Sequence, residues 1–484
     1  MVLLEVPSIK SWAPIEAITD RNTVLSLCDQ SLGPWFRVPC SGADALAGSW
    51  PALIAYQGWR VTAHTEPSRM RGLASTLRRS DVGMSVARTA GVNVVSTGAA
   101  GLGGIILARA LGPAMRGEYA AITAWFGITC IVGDMGQPAA LCYYVAHNPG
   151  RAHEYVATSR AMMLTTGMLA VAAGMLLAPL LARGGSGVTG GYRIAFASCI
   201  AAFIAASYTF ALQARDLRRW NMVRVSQPAL SLLAIGSLWR LRALTLDAAL
   251  TALGVTTLLQ LGWGYLCCRK TGLAPGRARA GLVRPLAIYG AAQIAAMTPA
   301  ALNARMDQLV LSQAVPSADL GRYAVAVSLT MLPIPLVGAI GNVAFPRLAS
   351  GRGVSTATLR LQWFAVFGSA CLAVGTLVPL AIIAHWLVPL VFGTSYQRAV
   401  PLLWILTPGA VFLACGQVVG DLLRGRNRPI VVAWAQGLAA IVTIGLIFSL
   451  LPVLGVYGAA VASTVAYGIA LILMLRCLWR LPGG

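Results

Sequence analysis

Apolar runs close to the ~20 residues that a helix needs to cross the hydrocarbon core of a bilayer follow one another from residue 85 to the end of this chain. They leave it few other ways to fold. We place about twelve, at 89–108, 119–144, 161–182, 194–214, 223–238, 246–268, 286–312, 323–344, 363–392, 400–419, 430–451 and 456–479. In lipid each backbone polar group needs a partner inside its own segment, so runs of this length are helices. Composition agrees: the 484 residues are 57% hydrophobic and 11% charged, whereas soluble domains carry about 25% charged residues.

The connections are short and leave no room for a soluble catalytic domain after residue 84. The formal charge of +22 comes from arginines scattered between apolar runs rather than gathered in a basic domain, which argues against nucleic acid as a partner. Alternate loops differ in charge. One set carries Arg215, Arg218, Arg219 and Arg224, then Arg269, Lys270, Arg277 and Arg279, while the turn Pro452–Gly455 on the opposite side has none. The positive-inside rule therefore places both termini in the cytoplasm. The ten cysteines form no C-x-x-C pair, so neither a metal site nor a disulfide framework is expected.

The chain repeats itself. Leu107, Ala110, Gly117, Tyr119 and Ala120 match Leu311, Ala314, Gly321, Tyr323 and Ala324 at an offset of 204 (321 less 117). Arg219 and Gln227 match Arg428 and Gln436 at 209 (436 less 227). Six spans per repeat is an even number, so the two copies enter the membrane in the same direction, as parallel repeats do. The expected fold class is all-α: a polytopic membrane protein with about twelve transmembrane helices in two parallel six-helix lobes. The expected domains are an N-terminal lobe at 84–273, a cytoplasmic linker at 274–284 and a C-terminal lobe at 285–484. Residues 1–83 do not fit. They hold seven of the fifteen acidic residues and no sustained apolar period, and read as a disordered extension or as translated upstream sequence with the true start at Met70 or Met84. A small accessory domain is the alternative.

Ionisable groups at membrane depth cost about 2.5 to 3.5 kcal/mol unless they face a cavity or a partner, which singles out a few positions. Arg305 and Asp307 come first. Within one helix they would point about 200° apart, whereas Asn303 and Asp307, at i and i+4, would share a face. In the first copy Ala99, Gly101 and Gly103 stand at the places of Asn303, Arg305 and Asp307, so these polar residues belong to one half only. Arg305 is expected to line the cavity and meet substrate phosphate, with Asp307 and Asn303 holding a partner arginine or a coupling cation. The alternative is a helix end in the headgroup zone, where Arg305 snorkels and Asp307 caps the turn. Asp134 is a candidate proton or cation site, or else a carboxylate satisfied by the backbone at a break that Gly133 and Gly136 permit. Arg88 is a candidate for phosphate at the cytoplasmic mouth, against a topology-setting role. Arg109 and Arg116 lie at the outer turn, where headgroup contact leads. Arg224, Gln227, Gln260, Gln293, Gln417 and Gln436 are weaker candidates for sugar contacts, against interhelical hydrogen bonds. Pro299, Pro333, Pro335, Pro379 and Pro408 are expected to bend their spans.

The motifs LARALGPAMRGEYA (107–120), ARMDQLVLSQAVPSADLGRYAVA (304–326), NVAFPRLAS (342–350) and VYGAAVASTVAYG (456–468) resemble those of Wzx-type lipid-linked oligosaccharide flippases. These are the polysaccharide-biosynthesis transporters of the multidrug/oligosaccharidyl-lipid/polysaccharide exporter superfamily. The resemblance covers residues 84–480, and Arg305-x-Asp307 looks like the family's seventh-helix pattern. It implies two six-helix lobes around a hydrated, often cationic cavity. It also implies a polyprenyl-pyrophosphate-linked sugar as substrate, moved from the cytoplasmic to the outer leaflet of the bacterial inner membrane for surface polysaccharides such as lipopolysaccharide. Further partners would be membrane lipids and the polysaccharide polymerase and glycosyltransferases of the same route.

No cofactor and no enzymatic chemistry are expected, because flipping a lipid breaks no bond. Coupling to Na+, H+ or the membrane potential stays open. The alternative readings are a cation-coupled drug antiporter on the same fold, which would want more acidic cavity residues, a membrane glycosyltransferase or ligase, which would need carboxylates on a large outer loop, and a scaffold for envelope assembly.

Overall fold

The computed structural model describes residues 79–183, 185–274, 276–338, 340–341, 356–426 and 428–480. Among the described residues every regular element is helical. The first half forms α1 (Arg79–Gly133), α2 (Gln137–His147), α3 (Ala152–Leu181), α4 (Ser186–Ala197), α5 (Cys199–Arg215), α6 (Leu217–Arg240) and α7 (Leu246–Lys270). The second half forms α8 (Val283–Asn303), α9 (Met306–Ala314), α10 (Ser317–Thr330), α11 (Thr356–Phe392), α12 (Ala399–Gly425), α13 (Pro429–Leu454) and α14 (Val456–Trp479). The chain is thus an all-α, multi-pass membrane protein. The expected extension at 1–83 and the NVAFPRLAS motif fall almost wholly outside the described residues.

Among the described residues nine helices are long and apolar enough to cross a membrane, or ten if a bent pair counts as one span. This departs from the expected twelve at three places. The apolar part of α1 runs 46 residues, Arg88–Gly133, which at 1.5 Å per residue is about twice the thickness of a hydrocarbon core. It is not one rod: Gly112 has φ 68 and ψ 175, outside the helical region, and Pro113 follows it. Glycine alone takes that backbone without strain, so α1 is two limbs joined at residue 112. The bent pair is α8, which turns by 43° between Ala295 and Met297, where Pro299 removes the hydrogen bond to the carbonyl four residues back. The third place is α6. With Arg218, Arg219 and Arg224 in its first third and Arg240 at its end, it falls short of the apolarity of the nine.

Each half has its own core. Tyr155, Tyr208, Leu212, Val223 and Leu286 pack with Cys268 in one cluster, and Ile122, Tyr192, Phe196 and Leu250 in another. Val418, Leu422, Val432, Ala439 and Met474 fill the second half. Two clusters are shared: Ala108 and Ala121 pack with Leu311, Tyr323 and Val325, and Ala124 and Ile128 with Leu309. The halves therefore meet along the second limb of α1 and the α9–α10 corner, and again where Leu286 near the start of α8 joins the first-half cluster.

That meeting is reciprocal. A Cβ on Gly117 would lie 1.7 Å from the Ser317 carbonyl oxygen and 2.9 Å from Gly321 N, while one on Gly321 would lie 1.9 Å from the Pro113 oxygen and 3.0 Å from Gly117 N. Ser317 stands to Pro113 as Gly321 stands to Gly117, both at the offset of 204, so this is the isologous contact of a two-fold axis. Hydrogen bonds surround it. Tyr396 Oη donates to Ala108 O at 3.0 Å, Trp125 Nε1 to Ser312 Oγ at 3.0 Å, and Arg183 Nη1 to Val315 O at 3.1 Å. Ser317 donates to the Glu118 carboxylate, and Arg109 to Leu390 O.

The segment between the halves is tied to α3. Glu154 pairs with Arg151 and with Arg279, both at 2.8 Å. The Arg279 amide donates to Thr158 Oγ1 at 3.0 Å, and Gly276 N to His153 O at 3.2 Å.

Candidate functional site

The polar cluster of the second half forms where α8 stops. Ala304 and Arg305 make a turn between α8 and α9, so the residues from Asn303 to Asp307 do not lie on one continuous helix as the sequence suggested. The break still sends Asn303 and Asp307 inward, at 2% and 3% exposure, and leaves Arg305 exposed.

Asn303 is saturated. Its Nδ2 donates to Gln436 Oε1 at 3.0 Å, its Oδ1 accepts from Thr443 Oγ1 at 3.0 Å, and its carbonyl accepts from Tyr467 Oη at 3.5 Å. It binds the end of α8 to α13 and α14. Asp307 is held by neutral donors: Tyr323 Oη at 2.5 Å, Ser463 Oγ at 3.4 Å and the Gln308 amide at 2.7 Å. Hydrogen bonds to a charged group contribute about 1.5 to 3 kcal/mol each when the alternative is an unsatisfied buried atom, so these partners keep the carboxylate in the core. Among the described residues it forms no ion pair. The guanidinium of Arg305, two residues away, donates no hydrogen bond among the described residues and is exposed.

The other candidates fall elsewhere. Asp134 lies half-buried in the turn between α1 and α2, where Met135 and Gly136 have φ of 50 and 63, and its Oδ1 accepts from Gly136 N at 2.8 Å. A second close approach occurs here: a Cβ on Gly136 would sit 2.2 Å from Gly290 O, and Gln137 Nε2 donates to Leu286 O at 3.4 Å. Arg88 is exposed at the start of the first limb of α1. One helix over, Arg224 Nη2 donates to Asn93 Oδ1 at 3.0 Å and its guanidinium lies 4.3 Å from the centre of the Trp220 ring, while Asn221 Nδ2 donates to Thr89 Oγ1 at 3.0 Å. The structure thus brings Arg88 and Arg224 to one end of neighbouring helices. Arg109 bonds across the halves, as described. Gln260 Nε2 donates to Val223 O at 3.2 Å, an interhelical tie, and Gln293 is half-buried.

Gln227 lies in a feature the sequence reading did not single out. A cavity of about 220 Å³ inside the first half is lined by Ala99, Gly103, Arg116, Tyr119, Gln227 and Ser231 among others. Arg116, taken from sequence as a headgroup contact, is buried at 9% exposure. Its guanidinium lies 5.5 Å from the centre of the Tyr119 ring and its Nε has no hydrogen-bond partner among the described residues. The signal was present in the repeat, which sets the small residues Ala99 and Gly103 where Asn303 and Asp307 stand.

No curated protein matches the chain. Solved structures match its fold at low identity. The lipid II flippase MurJ in an inward closed conformation has a TM-score of 0.69 at 12% identity, covering 81% of this chain and 88% of its own. An inward-facing multidrug resistance MATE family transporter of the MOP superfamily reaches 0.66 at 16%, covering 79% and 93%. A MOP superfamily transporter from Pyrococcus furiosus, described by the reverse polarity of its binding pocket, reaches 0.54 at 12%, covering 82% and 94%. The model of the family described as polysaccharide biosynthesis protein matches residues 82–351, more than half of the chain. With the parallel repeat and the all-helical membrane fold beside it, that match makes this chain a member of the polysaccharide biosynthesis protein family, on the transporter fold of the MOP superfamily.

Proposed function

We propose that the protein flips a polyprenyl-(pyro)phosphate-linked saccharide from the cytoplasmic to the outer leaflet of the bacterial inner membrane, by alternating access between two lobes at 84–273 and 285–484 joined by the linker at 274–284, for export of surface polysaccharide. The observation that carries this reading is the exposed Arg305 guanidinium at the α8–α9 break, which donates no hydrogen bond among the described residues, in a chain of the polysaccharide biosynthesis family. A cation on a membrane helix is costly unless a polar partner meets it, and a substrate phosphate is such a partner. Arg88 and Arg224 would receive the same group at the cytoplasmic mouth, while Asn303 and Asp307 hold the break that presents Arg305.

No bond need be made or broken. The polar headgroup is covered while the polyprenyl tail stays in lipid, so the protein acts as a transporter rather than an enzyme. An inside-negative potential of 100 mV favours outward movement of each negative charge by about 2.3 kcal/mol, which serves a pyrophosphate carrier without a coupling ion. Polymerase and glycosyltransferases of the same route are the expected protein partners. Both termini face the cytoplasm on the positive-inside argument.

The test is deletion of the gene in a strain with no second copy. Lipid-linked saccharide is expected to accumulate on the cytoplasmic leaflet, and Arg305→Ala is expected to reproduce this with normal protein levels. Normal surface polysaccharide in the deletion strain would overturn the reading. One observation favours a second reading, a cation-coupled antiporter on the same fold: the half-buried Asp134 carboxylate accepts a single hydrogen bond among the described residues.

A further inference from the structure

The cavity in the first half and the polar cluster in the second are the same place in the repeat, with the charge reversed. At the offset of 204, Ala99 stands for Asn303, Gly103 for Asp307, Tyr119 for Tyr323 and Arg116 for Leu320. At 209, Gln227 stands for Gln436. The second half fills this place with its own carboxylate, on which Tyr323 and Ser463 converge, and with Asn303, on which Gln436 and Thr443 converge. The first half keeps the tyrosine and the glutamine and deletes both acceptors. What remains is about 220 Å³ of space, with a buried arginine that lacks a hydrogen-bond partner at Nε among the described residues.

A buried guanidinium nitrogen without an acceptor loses the hydration it had in water, and an oxyanion restores it with short, charge-assisted hydrogen bonds. We propose that this cavity binds a small oxyanion, a carboxylate or a phosphate group, against Arg116, in the position that the Asp307 carboxylate occupies in the other half. Gln227 and Ser231 supply neutral donors beside it. The volume lies below the roughly 300 to 1,000 Å³ of sites for drug-sized ligands, which suits one anionic group rather than an oligosaccharide chain. The residues that line it are other than Arg305, Arg88 and Arg224, to which the transported lipid is assigned above. The group comes either from a free ion or from a phospholipid headgroup.

The full chain in nanodiscs of neutral phosphatidylcholine, melted with inorganic phosphate or acetate titrated at constant ionic strength, is expected to show a saturable rise in melting temperature. Arg116→Gln is expected to raise the half-saturating concentration about tenfold or more, as loss of a charged hydrogen bond does. Gly103→Asp supplies the missing carboxylate from within, since a Cβ there meets nothing nearer than Ile235 Cδ1 at 3.7 Å. That variant is expected to melt higher without added anion and to lose the response. A shift seen with phosphatidylglycerol nanodiscs but not with free ions, and lost in Arg116→Gln, assigns the oxyanion to a headgroup. An identical response in Arg116→Gln, or no saturable shift from either source together with no gain in Gly103→Asp, overturns the proposal. The readout is stability without saccharide, so its failure is distinct from failure of the flippase reading.

Discussion

Gly117 and Gly321 touch backbone to backbone across the two halves of the chain, and the contact leaves no room for a side chain on either. A methyl group on Gly117 would lie 1.7 Å from one carbonyl oxygen, and on Gly321 1.9 Å from another. Helices in membranes approach this closely only through small residues. Of the surrounding bonds, Tyr396 to Ala108 O and Arg183 to Val315 O end on main-chain carbonyls, while Ser317 donates to the half-buried Glu118 carboxylate.

Gly117→Ala and Gly321→Ala should therefore push this end apart without harming either core. With spin labels at the exposed positions Ala114 and Thr394, in a cysteine-free background, each variant should move the distance distribution to longer values. An unchanged distribution would show that the helices slide past the added methyl group instead.

Tyr323→Phe removes the shortest hydrogen bond to the buried Asp307 carboxylate and leaves Ser463 and the Gln308 amide to hold it. The expected cost is about 1.5 to 3 kcal/mol, read from denaturant or thermal unfolding in detergent. Tyr323→Phe combined with Asp307→Asn should lose less than the single changes added together, because both remove the same bond.

Arg305→Ala separates site from scaffold. The side chain is exposed and makes no hydrogen bond among the described residues, so stability should change by no more than about 0.5 kcal/mol, while flipping in cells should fail. An unfolded or degraded Arg305→Ala protein would make Arg305 part of the fold.

Asp134→Asn keeps the acceptor for the Gly136 amide and removes the charge. If the membrane potential drives the substrate, this variant should flip normally and Asp134→Ala should cost about 1 kcal/mol of stability, as loss of a capping side chain does. Loss of flipping in a stable Asp134→Asn protein would favour cation coupling.

Periodicity and apolarity were enough to read the membrane helices and the doubled architecture, because both follow from a rule that acts on every residue of a span. The offset of 204 paired Gly117 with Gly321 as equivalents, but that they touch is seen only in the structure. The sequence did not reveal that the span around Arg305 stops at Ala304, since nothing in ALNARMDQ carries a strong breaker beyond Pro299 upstream. It also assigned Arg116 to the headgroups, because sequence position gives depth but not direction. A side chain at a turn faces lipid or core according to how the two limbs of α1 close on α6, which is a tertiary fact. The partners of Asn303 were hidden for the same reason: Gln436, Thr443 and Tyr467 lie more than 130 residues away.

On the alternating-access reading, the Glu154 clamp bears on where two lobes would bend apart. With Arg279 and Gly276 fastened to α3, the stretch between the halves is not a slack tether. The start of α8 goes with it, because Leu286 packs in the first-half cluster and its carbonyl accepts from Gln137 Nε2. The proposed stroke would then be set by the 43° bend between Ala295 and Met297 rather than by how far a loop can stretch.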